Sequence, residues 1–255
     1  MLAKAAGLGA DEVIVDLEDG VAESEKETAR GLAAEALRRR FEGTTALRVN
    51  TRGTPWWSED LELAAEAAPD VVVLPKVESP EDVLAAAERL PEGTGLEAQI
   101  ETARGLVEVE RIAAAGHGLE ALVLGPADLA ASLGVPVLTI GSGTSDYALA
   151  RIVVSARANG LQAVDGPHAV LDDDQGLLAS ARRALAHGYD GKWVIHPSQI
   201  ELVNETFTPS AEELERAQRI LALGSGAVRH EGELVDVASR RLAETLLARG
   251  RTRGR

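Results

Sequence analysis

The segment Val13–Asp19, VIVDLED, carries the pattern that decides the fold, because a short run of β-branched residues is followed at once by carboxylates. Similar apolar runs recur along the chain and alternate with longer segments rich in Ala, Leu and Glu. The seven predicted strands are Val13–Leu17, Ala46–Val49, Val71–Leu74, Leu96–Ile100, Ala121–Leu124, Gln162–Asp165 and Trp193–Ile195. Strand–helix alternation with short connections predicts an α/β protein with a parallel sheet wrapped by helices.

The number of strands bears on which parallel fold this is. A closed (β/α)8 barrel of the TIM type has eight strands and about 250 residues, and this chain has 255 residues. The chain opens with a predicted helix, Leu2–Gly7, that leads directly into the strand Val13–Leu17. We therefore expect a (β/α)8 barrel that lacks its first strand, with an open seven-stranded sheet as the alternative. Because a bare edge on Val13–Leu17 is costly, we expect that the natural chain starts upstream or that another segment fills the gap.

The pattern changes towards the end of the chain. Residues 1–223 are predicted to form the catalytic barrel domain, whose last helix is Ala211–Leu223. A glycine-rich break then leads into a C-terminal extension, residues 224–255, which carries Asp236 and a helix at Ser239–Arg249. The final RGRTRGR is basic and predicted to be disordered.

Charge and composition exclude several classes of protein. The net charge of −15 argues against a general nucleic-acid binder, although a local basic cluster can still hold one polyanionic ligand. The absence of cysteine excludes disulfides, thiolate zinc sites and thiol nucleophiles. No apolar run is long enough to span a bilayer, and the first residues lack the features of a signal peptide. We therefore predict a cytoplasmic protein with no nucleic-acid or membrane partner.

Polar residues lie at or just after the end of every predicted strand. In a parallel barrel, functional side chains occupy the carboxyl ends of the strands and the loops that follow. The residues in such positions are Asp16, Glu18, Asp19, Arg48, Asn50, Lys76, Glu78, Glu101, Asp128, Asp165 and His196. The packing of a sheet does not require ionisable groups at one edge, so we predict that this edge is the active site.

Two of these carboxylates suggest a metal site. Glu101 and Asp128 end neighbouring strands, and carboxylate oxygens with room for water suit a hard cation such as Mg²⁺. The alternative is that one carboxylate caps a helix and the other pairs with an arginine. Asp128 opens the helical stretch DLAASLG, so the spacing leaves both interpretations open.

Three further side chains at this edge have two interpretations each. The planar fork of Arg48 can clamp a substrate carboxylate or form a buried salt bridge to Asp16 or Glu18, and the two roles can coexist. Lys76 can form a Schiff base or pair with a carboxylate, and we favour the pair. His196 precedes a proline and fits hydrogen-bonded scaffolding better than a general base.

A basic pair follows the first predicted strand. Lys26 and Arg30 are four residues apart on one helix face, so they can meet phosphates that enter the site. The alternative is an ordinary solvated helix face with local carboxylates.

The order of short motifs resembles the signature of citrate lyase β-subunit-like proteins, in the HpcH/HpaI aldolase superfamily. The motifs are VIVDLEDGV, LRVN, LPKVE, IETARGL, LGPADLAASLG, VDGP, GKWVIHPSQI and GELVD, and they span about Ala3 to Leu247. Two features depart from that family. Its usual first strand, of the type RSxLFVPG, is absent, and the loop after Gly134 reads VPVLTIGSGTSD in place of the usual polar sequence.

The resemblance implies a (β/α)8 barrel, a catalytic Mg²⁺ and a CoA-thioester substrate. It implies that Glu101 and Asp128 are the metal ligands and that Arg48 binds the substrate carboxylate and keto oxygen. It makes Glu18 a catalytic or supporting carboxylate. It makes Asp236 an acid–base group that reaches the site of an adjacent subunit, which implies an oligomer, often a trimer.

We therefore expect a Mg²⁺-dependent carbon–carbon lyase that acts on a β-hydroxyacyl-CoA such as citramalyl-, malyl- or methylmalyl-CoA. The reaction is a retro-Claisen or aldol-type cleavage, or the reverse condensation, with a small 2-oxo acid as the other reactant. Lys26 and Arg30 join Arg48 as predicted substrate and CoA contacts. Two rival hypotheses are a metal-free Schiff-base aldolase that uses Lys76 and a non-catalytic CoA-binding or complex subunit.

Overall fold

The structure is a computed structural model that describes residues 7–39, 41, 43–136, 142–224, 226–230 and 232–252. Most of the predicted first helix, and residues 137–141 of the loop after Gly134, lie outside the described residues. The chain divides into two compact units, residues 1–203 and residues 204–255. No helix among the described ranges has the length and apolar character needed to cross a membrane.

The first unit is built on a curled, parallel, seven-stranded sheet. Its strands lie in chain order and are β1 (Glu12–Asp16), β2 (Thr44–Arg48), β3 (Val71–Leu74), β4 (Gly95–Ile100), β5 (Leu119–Leu124), β6 (Gln162–Asp165) and β7 (Gly191–Lys192). Each strand pairs in parallel with its neighbours in the chain. In the part of the chain that the structure describes, β1 pairs with β2 and β7 pairs with β6, so these two strands are the edges of the sheet.

Helices connect the strands, as the alternation in the sequence predicts. They are α1 (Lys26–Leu37), α2 (Trp57–Ala67), α3 (Pro80–Ala87), α4 (Ala103–Ala113), α5 (Pro126–Ser132), α6 (Gly143–Ala158) and α7 (Asp174–His187). Helix α8 (Ile200–Phe207) follows β7. Helix α3 begins at a capping box in which Ser79 and Asp82 satisfy each other's backbone N–H groups, and this fixes its first turn.

The first six strands overlap the predicted ones, but the seventh prediction is wrong. Residues 193–195 follow β7 instead of forming it. The backbone N–H of Ile195 donates to the side chain of Gln199 at 3.1 Å. A side-chain acceptor therefore takes a donor that a longer strand would use for pairing.

Buried apolar residues fill the sheet beneath the predicted site. Val71 and Val73 on β3 pack with Ala46 on β2, and the partly buried Ile14 and Trp193 pack against them. Successive side chains of a strand point to opposite faces, so Arg48, two residues beyond Ala46, lies on the same face as this cluster. The polar groups at the carboxyl ends of the strands therefore lie above a cluster of buried apolar side chains.

The second unit consists of α9 (Ala211–Ala222), an antiparallel hairpin of β8 (Val228–His230) and β9 (Glu233–Val235), and α10 (Val237–Thr252). Helix α9, which the sequence pattern groups with the barrel, belongs to this unit. Helix α10 continues to Thr252 and so includes the first residues of the basic tail, and the disorder of the tail stays a prediction. Gly250 lies so close to Leu214 that an added Cβ would come within 2.7 Å of it, which shows α10 packed on α9. Residues 253–255 lie outside the described residues.

Candidate active site at the carboxyl edge of the sheet

Asp16 and Arg48 lie opposite each other at the ends of β1 and β2. Arg48 donates from Nε to Asp16 Oδ1 and from Nη2 to Asp16 Oδ2, both at 2.7 Å. Burial alone would raise the pKa of Asp16, but the hydrogen bonds and charge of Arg48 hold that pKa below its usual range. Burial opposes the charge of Arg48, and Asp16 outweighs it, so the pKa of Arg48 is raised. The predicted buried salt bridge of Arg48 is therefore present.

Glu18 lies between Arg48 and Lys76. Its Oε2 is 3.3 Å from Arg48 Nη1, and its Oε1 accepts a hydrogen bond from Lys76 Nζ. Burial raises the pKa of Glu18 against the opposing effect of Lys76. The pKa of Lys76 is raised because the contact with Glu18 outweighs burial. A Schiff-base lysine needs an unprotonated amine, so these contacts favour the ion pair that we predicted for Lys76.

Glu101 directly follows β4 and is fully buried. Its Oε1 accepts the backbone N–H of Lys76 at 2.9 Å, and its Oε2 accepts the side-chain amide of Gln99 at 2.5 Å. Lys76 holds the left-handed φ of 50° at this contact. Burial raises the pKa of Glu101 to about 8, Lys76 opposes the shift, and Asp128 and Glu18 add to it.

Gly125 makes room for Glu101. A Cβ added at Gly125 would come within 2.1 Å of Glu101 Oε2 and within 2.4 Å of Glu101 Cβ. Any larger residue at this position would have to displace the carboxylate, because both atoms belong to a fully buried side chain. The glycine of the GPADL motif is thus a steric requirement of the site.

Asp128 lies in the first turn of α5, where Gly125 is the N-cap. Asp128 is therefore not the helix cap that the alternative interpretation required. Its Oδ1 is 3.7 Å from Lys76 Nζ, and its charge contributes to the raised pKa of Glu101. The structure brings both predicted metal ligands to Lys76, and metal binding itself stays a prediction.

Lys26 and Arg30 have different surroundings from those expected of an exposed basic pair. Lys26 is buried and donates to the carbonyl oxygens of Leu17 and Glu18, each at 2.7 Å. Arg30 pairs with Glu59 at 2.6 Å and with Asp60 at 3.0 Å. The solvated helix face is therefore wrong for Lys26, which bonds the loop that carries Glu18. Phosphate binding by the pair stays a prediction.

The remaining strand-end residues make local contacts of their own. Asp165 pairs with the buried Lys192 at 2.5 Å. Asn50 donates to Asp60 through its backbone and its side chain. His196 caps the short 3₁₀ turn that follows it, with its ring accepting the N–H of Ser198 at 3.2 Å. This is the scaffolding role that we favoured for His196.

Asp236 belongs to the second unit and precedes α10. Its Oδ1 accepts the backbone N–H of Ser239 at 3.0 Å and contacts the Ser239 hydroxyl at 3.2 Å. The backbone hydrogen bond from Ser239 is the main cause of its lowered pKa. Its predicted acid–base role across a subunit boundary stays a prediction.

Three residues near the site were not identified from the sequence. Gln99 is buried and contacts Glu101, while Lys192 also donates to the carbonyl of Gly166 at 2.5 Å. The ring of Trp193 lies 5.9 Å from the guanidinium carbon of Arg48. The alternation of side chains along β4 could have identified Gln99, because residues two apart on a strand, such as Gln99 and Glu101, lie on the same face.

A cavity of about 280 Å³ opens beside Lys76. It is lined by residues that follow β2, β3 and β4, among them Asn50, Arg52, Trp57 and Thr102. A cavity of this mixed polar and apolar lining beside Lys76 can admit a small molecule.

The fold and site together define a class: parallel α/β proteins whose carboxylates, arginine and lysine meet at the carboxyl edge of the sheet. Residues 1–197 match the family described as HpcH/HpaI aldolase/citrate lyase. The chain belongs to this family.

Several known proteins resemble the chain along most of its length. An L-malyl-CoA/beta-methylmalyl-CoA lyase of Cereibacter sphaeroides is 38% identical over 281 residues, which cover 96% of this chain and 88% of the relative. A (3S)-malyl-CoA thioesterase of the same organism is 39% identical over 251 residues, which cover 96% and 85%. Among solved structures, protein CitE of Mycobacterium tuberculosis, in complex with magnesium, acetoacetate and coenzyme A, is 38% identical with a TM-score of 0.83. That match covers 97% of this chain and 92% of the other.

Proposed function

We propose that this protein is a Mg²⁺-dependent carbon–carbon lyase that acts on a β-hydroxyacyl-CoA of the malyl-, methylmalyl- or citramalyl-CoA type. The products of cleavage are a shorter acyl-CoA and a small 2-oxo acid, and condensation is the reverse reaction. The single observation that carries the proposal is the convergence of Arg48, Glu101 and Asp128 on one strand edge. The named activities of the lyase relative and the ligands of the CitE structure support it.

The chemistry of the donor set fits Mg²⁺. Glu101 and Asp128 would hold the ion, since oxygen ligands together with water are what Mg²⁺ prefers. Burial and neighbouring negative charge raise the pKa of Glu101, and a cation relieves this cost by favouring the ionised form. Glu101 is also held in place by two donors, the backbone of Lys76 and the amide of Gln99. When bound, the ion supplies Lewis acidity that lowers the pKa of a substrate hydroxyl.

Arg48 would bind the substrate carboxylate and stabilise the keto acid as it forms. Its guanidinium is fixed by Asp16 on one edge and lies near the ring of Trp193. An arginine that is already oriented loses little entropy when it binds a planar carboxylate. Glu18 would balance the charge of Arg48 and Lys76 next to the reacting groups, since it contacts both.

Asp236 would act as the acid–base group that protonates the acyl-CoA carbanion, or removes the proton in condensation. We propose that it does so in the site of a neighbouring copy, within a homotrimer or a multiple of one. Its lowered pKa supports an ionised carboxylate in the condensation direction. Lys26 and Arg30 remain proposed CoA contacts, which would meet its phosphates directly or hold the Glu18 loop and α2 in place for it.

The sheet would close as a (β/α)8 barrel with an eighth strand between β1 and β7. The support is that both strands are edges among the described residues and that Val15 and Leu17 near the β1 edge are already buried. The cytoplasm stays our predicted compartment, since an absence of cysteine suits a reducing environment.

The test is a panel of CoA esters incubated with purified protein and Mg²⁺. Release of glyoxylate, pyruvate or oxaloacetate identifies the cleaved ester, and a thiol reagent measures any hydrolysis to free CoA. The chain contributes no thiol to that signal, because it has no cysteine. Glu101→Gln is the matched inactive control. Failure of every ester with wild-type protein that binds Mg²⁺ would contradict the proposal.

A further inference from the structure

We infer that Gln99 is a positioning residue that couples the substrate anchor Arg48 to the carboxylate Glu101. The inference rests on the proposed function, in which these two residues bind substrate and metal. Gln99 lies on β4, 4% exposed. It is two residues before Glu101 and on the same face of the strand, directly beneath the predicted metal ligand.

The amide of Gln99 makes a different contact at each of its atoms. Its Nε2 donates to Glu101 Oε2 at 2.5 Å, and its Oε1 accepts from Arg48 Nη1 at 3.5 Å. A carboxylate can only accept and a guanidinium can only donate. The amide orientation is therefore set by its two partners, and no other arrangement of the same side chain satisfies both.

The hydrogen bond from Gln99 is the second of two that hold the Glu101 side chain in place. Its other oxygen accepts the backbone N–H of Lys76, and Gly125, which has no Cβ, leaves the space that the Glu101 side chain occupies. Each oxygen of Glu101 thus has one fixed donor, and these two donors leave the second lone pair of each oxygen unused. Partners that orient a metal ligand in this way typically change metal affinity or activity about 10–100-fold when they are removed.

The contact with Arg48 is longer and weaker, so the two ends of the amide have unequal effects. At 3.5 Å it is at the limit of a hydrogen bond, and Asp16 already holds the guanidinium by two shorter bonds. Loss of Gln99 is therefore expected to act first on Glu101 and only secondarily on Arg48. Kinetically, this predicts a larger effect on kcat and on metal affinity than on KM for the thioester.

The experiment compares Gln99→Leu, which removes both contacts at similar volume, with Gln199→Leu. Gln199 is also a buried glutamine with a bonded amide, but it bonds His168 and Ile195. Mg²⁺ affinity is measured by titration calorimetry and Mn²⁺ affinity by magnetic resonance, alongside kcat, KM and the melting temperature. Gln99→Leu should weaken metal binding about ten-fold or more, whereas Gln199→Leu should lower only the melting temperature.

A thermal double-mutant cycle separates this inference from the proposed function. Gln99→Leu and Glu101→Gln are melted singly and together without metal, and melting temperatures that do not add show that Gln99 holds Glu101. If the wild type binds no Mg²⁺ and cleaves no ester, the proposed function fails while the cycle still reports on the contact. Additive melting temperatures, or unchanged metal affinity in folded Gln99→Leu, would overturn the positioning role.

Discussion

Arg48 and Asp16 are joined by two N–O distances of 2.7 Å across the neighbouring strands β2 and β1. Asp16 also accepts the backbone N–H groups of Glu18 and Gly20, at 2.9 and 3.0 Å. One carboxylate therefore fixes both the proposed substrate anchor and the loop that follows β1. A mutation at either residue disturbs two parts of the site, so the variants below are chosen to separate charge from geometry.

Arg48→Lys should lose nearly as much kcat/KM as Arg48→Ala. A lysine keeps the positive charge, but a point charge reproduces neither the paired bonds to Asp16 nor two-point binding of a substrate carboxylate. Truncating one partner of a buried charge pair costs about 2–5 kcal/mol, which corresponds to a loss of at least ten-fold. The measurement is steady-state kinetics with the ester found in the panel. Near-normal turnover of the lysine variant would make Arg48 purely structural.

Glu101→Gln should abolish Mg²⁺ binding and most of the activity without unfolding the protein. Glutamine has almost the same shape, but its NH2 cannot accept the hydrogen bond from Lys76 or from Gln99 that one Glu101 oxygen takes. We therefore expect a folded protein with a moderately lower melting temperature. Calorimetric titration measures the loss of Mg²⁺ binding, and a thermal melt measures whether the protein stays folded. Removal of the metal from wild-type protein with EDTA should give the same loss of activity, and added Mg²⁺ should restore it. A Glu101→Gln protein with wild-type metal affinity would exclude this residue as a ligand.

Glu97, on β4, should make the protein less stable as the pH rises. Burial, followed by the charges of Glu12 and Glu120, raises the pKa of Glu97 to about 8, and burial likewise raises the pKa of Glu12. The folded state then binds more protons than the unfolded state between the ordinary carboxyl range and about pH 8, so stability falls across that window.

Glu97→Gln removes this penalty. It should raise the melting temperature by about 2–4 °C at about pH 8, the shift that roughly 1 kcal/mol produces in a chain of this size. The gain should shrink at about pH 5.5, where the folded wild type keeps its protons. Glu92→Gln, at an exposed position, is the control. An equal gain at both pH values would show that the effect does not come from ionisation.

Asp236→Ala and Glu101→Gln should each be inactive alone and should recover part of the activity when mixed and reassembled. If Asp236 acts in a neighbouring copy, some mixed sites combine an intact Glu101 with an intact Asp236. Subunit exchange is followed by mass spectrometry on differently tagged proteins. No recovery despite complete exchange, or a wild type that is monomeric at assay concentration, would remove the proposed action across subunits.

Lys26→Met should lower stability and kcat together. The substitution leaves the carbonyl oxygens of Leu17 and Glu18 without their buried donor, at about 1–3 kcal/mol for each unsatisfied group. Arg38→Met, at an exposed position after α1, is the control. If Lys26 binds CoA phosphates directly, KM for the thioester should rise at unchanged melting temperature instead.

The sequence predicts the sheet well because strand order and β-branched runs are local properties. It fails at β7, since the side chain of Gln199 takes the N–H of Ile195, and no pattern within residues 193–195 reveals that acceptor. For the site, the strand-end rule predicts Arg48, Lys76 and Glu101 at one edge. The rule does not predict the partners of these side chains, because the same side chain, such as Arg48, can form a salt bridge or bind a substrate carboxylate.

Two errors at the site have a common physical cause. Lys26 looks exposed on a helical wheel, but the loop after β1 folds back over its ammonium. Gln99 looks like an ordinary residue of a buried strand until the direction of Arg48 is known. Lys26 contacts a different segment, the loop before its own helix, and Gln99 contacts a residue on another strand. The spacing of residues within one segment encodes neither contact.

The strand order of the first unit has a consequence for how the protein is made. Each strand after β1 pairs with the strand synthesised just before it, so the chain closes one strand–helix connection at a time and the entropy lost at each step is small. The residues proposed to contact metal and substrate in this unit, from Lys26 to Asp128, all lie within the first 128 of the 255 residues. N-terminal parts fold first as a chain leaves the ribosome. Arg48 and Lys76 therefore emerge before Glu101 and Asp128. Lys76, which lies 3.7 Å from Asp128 and opposes the raised pKa of Glu101, is in place when these acids arrive.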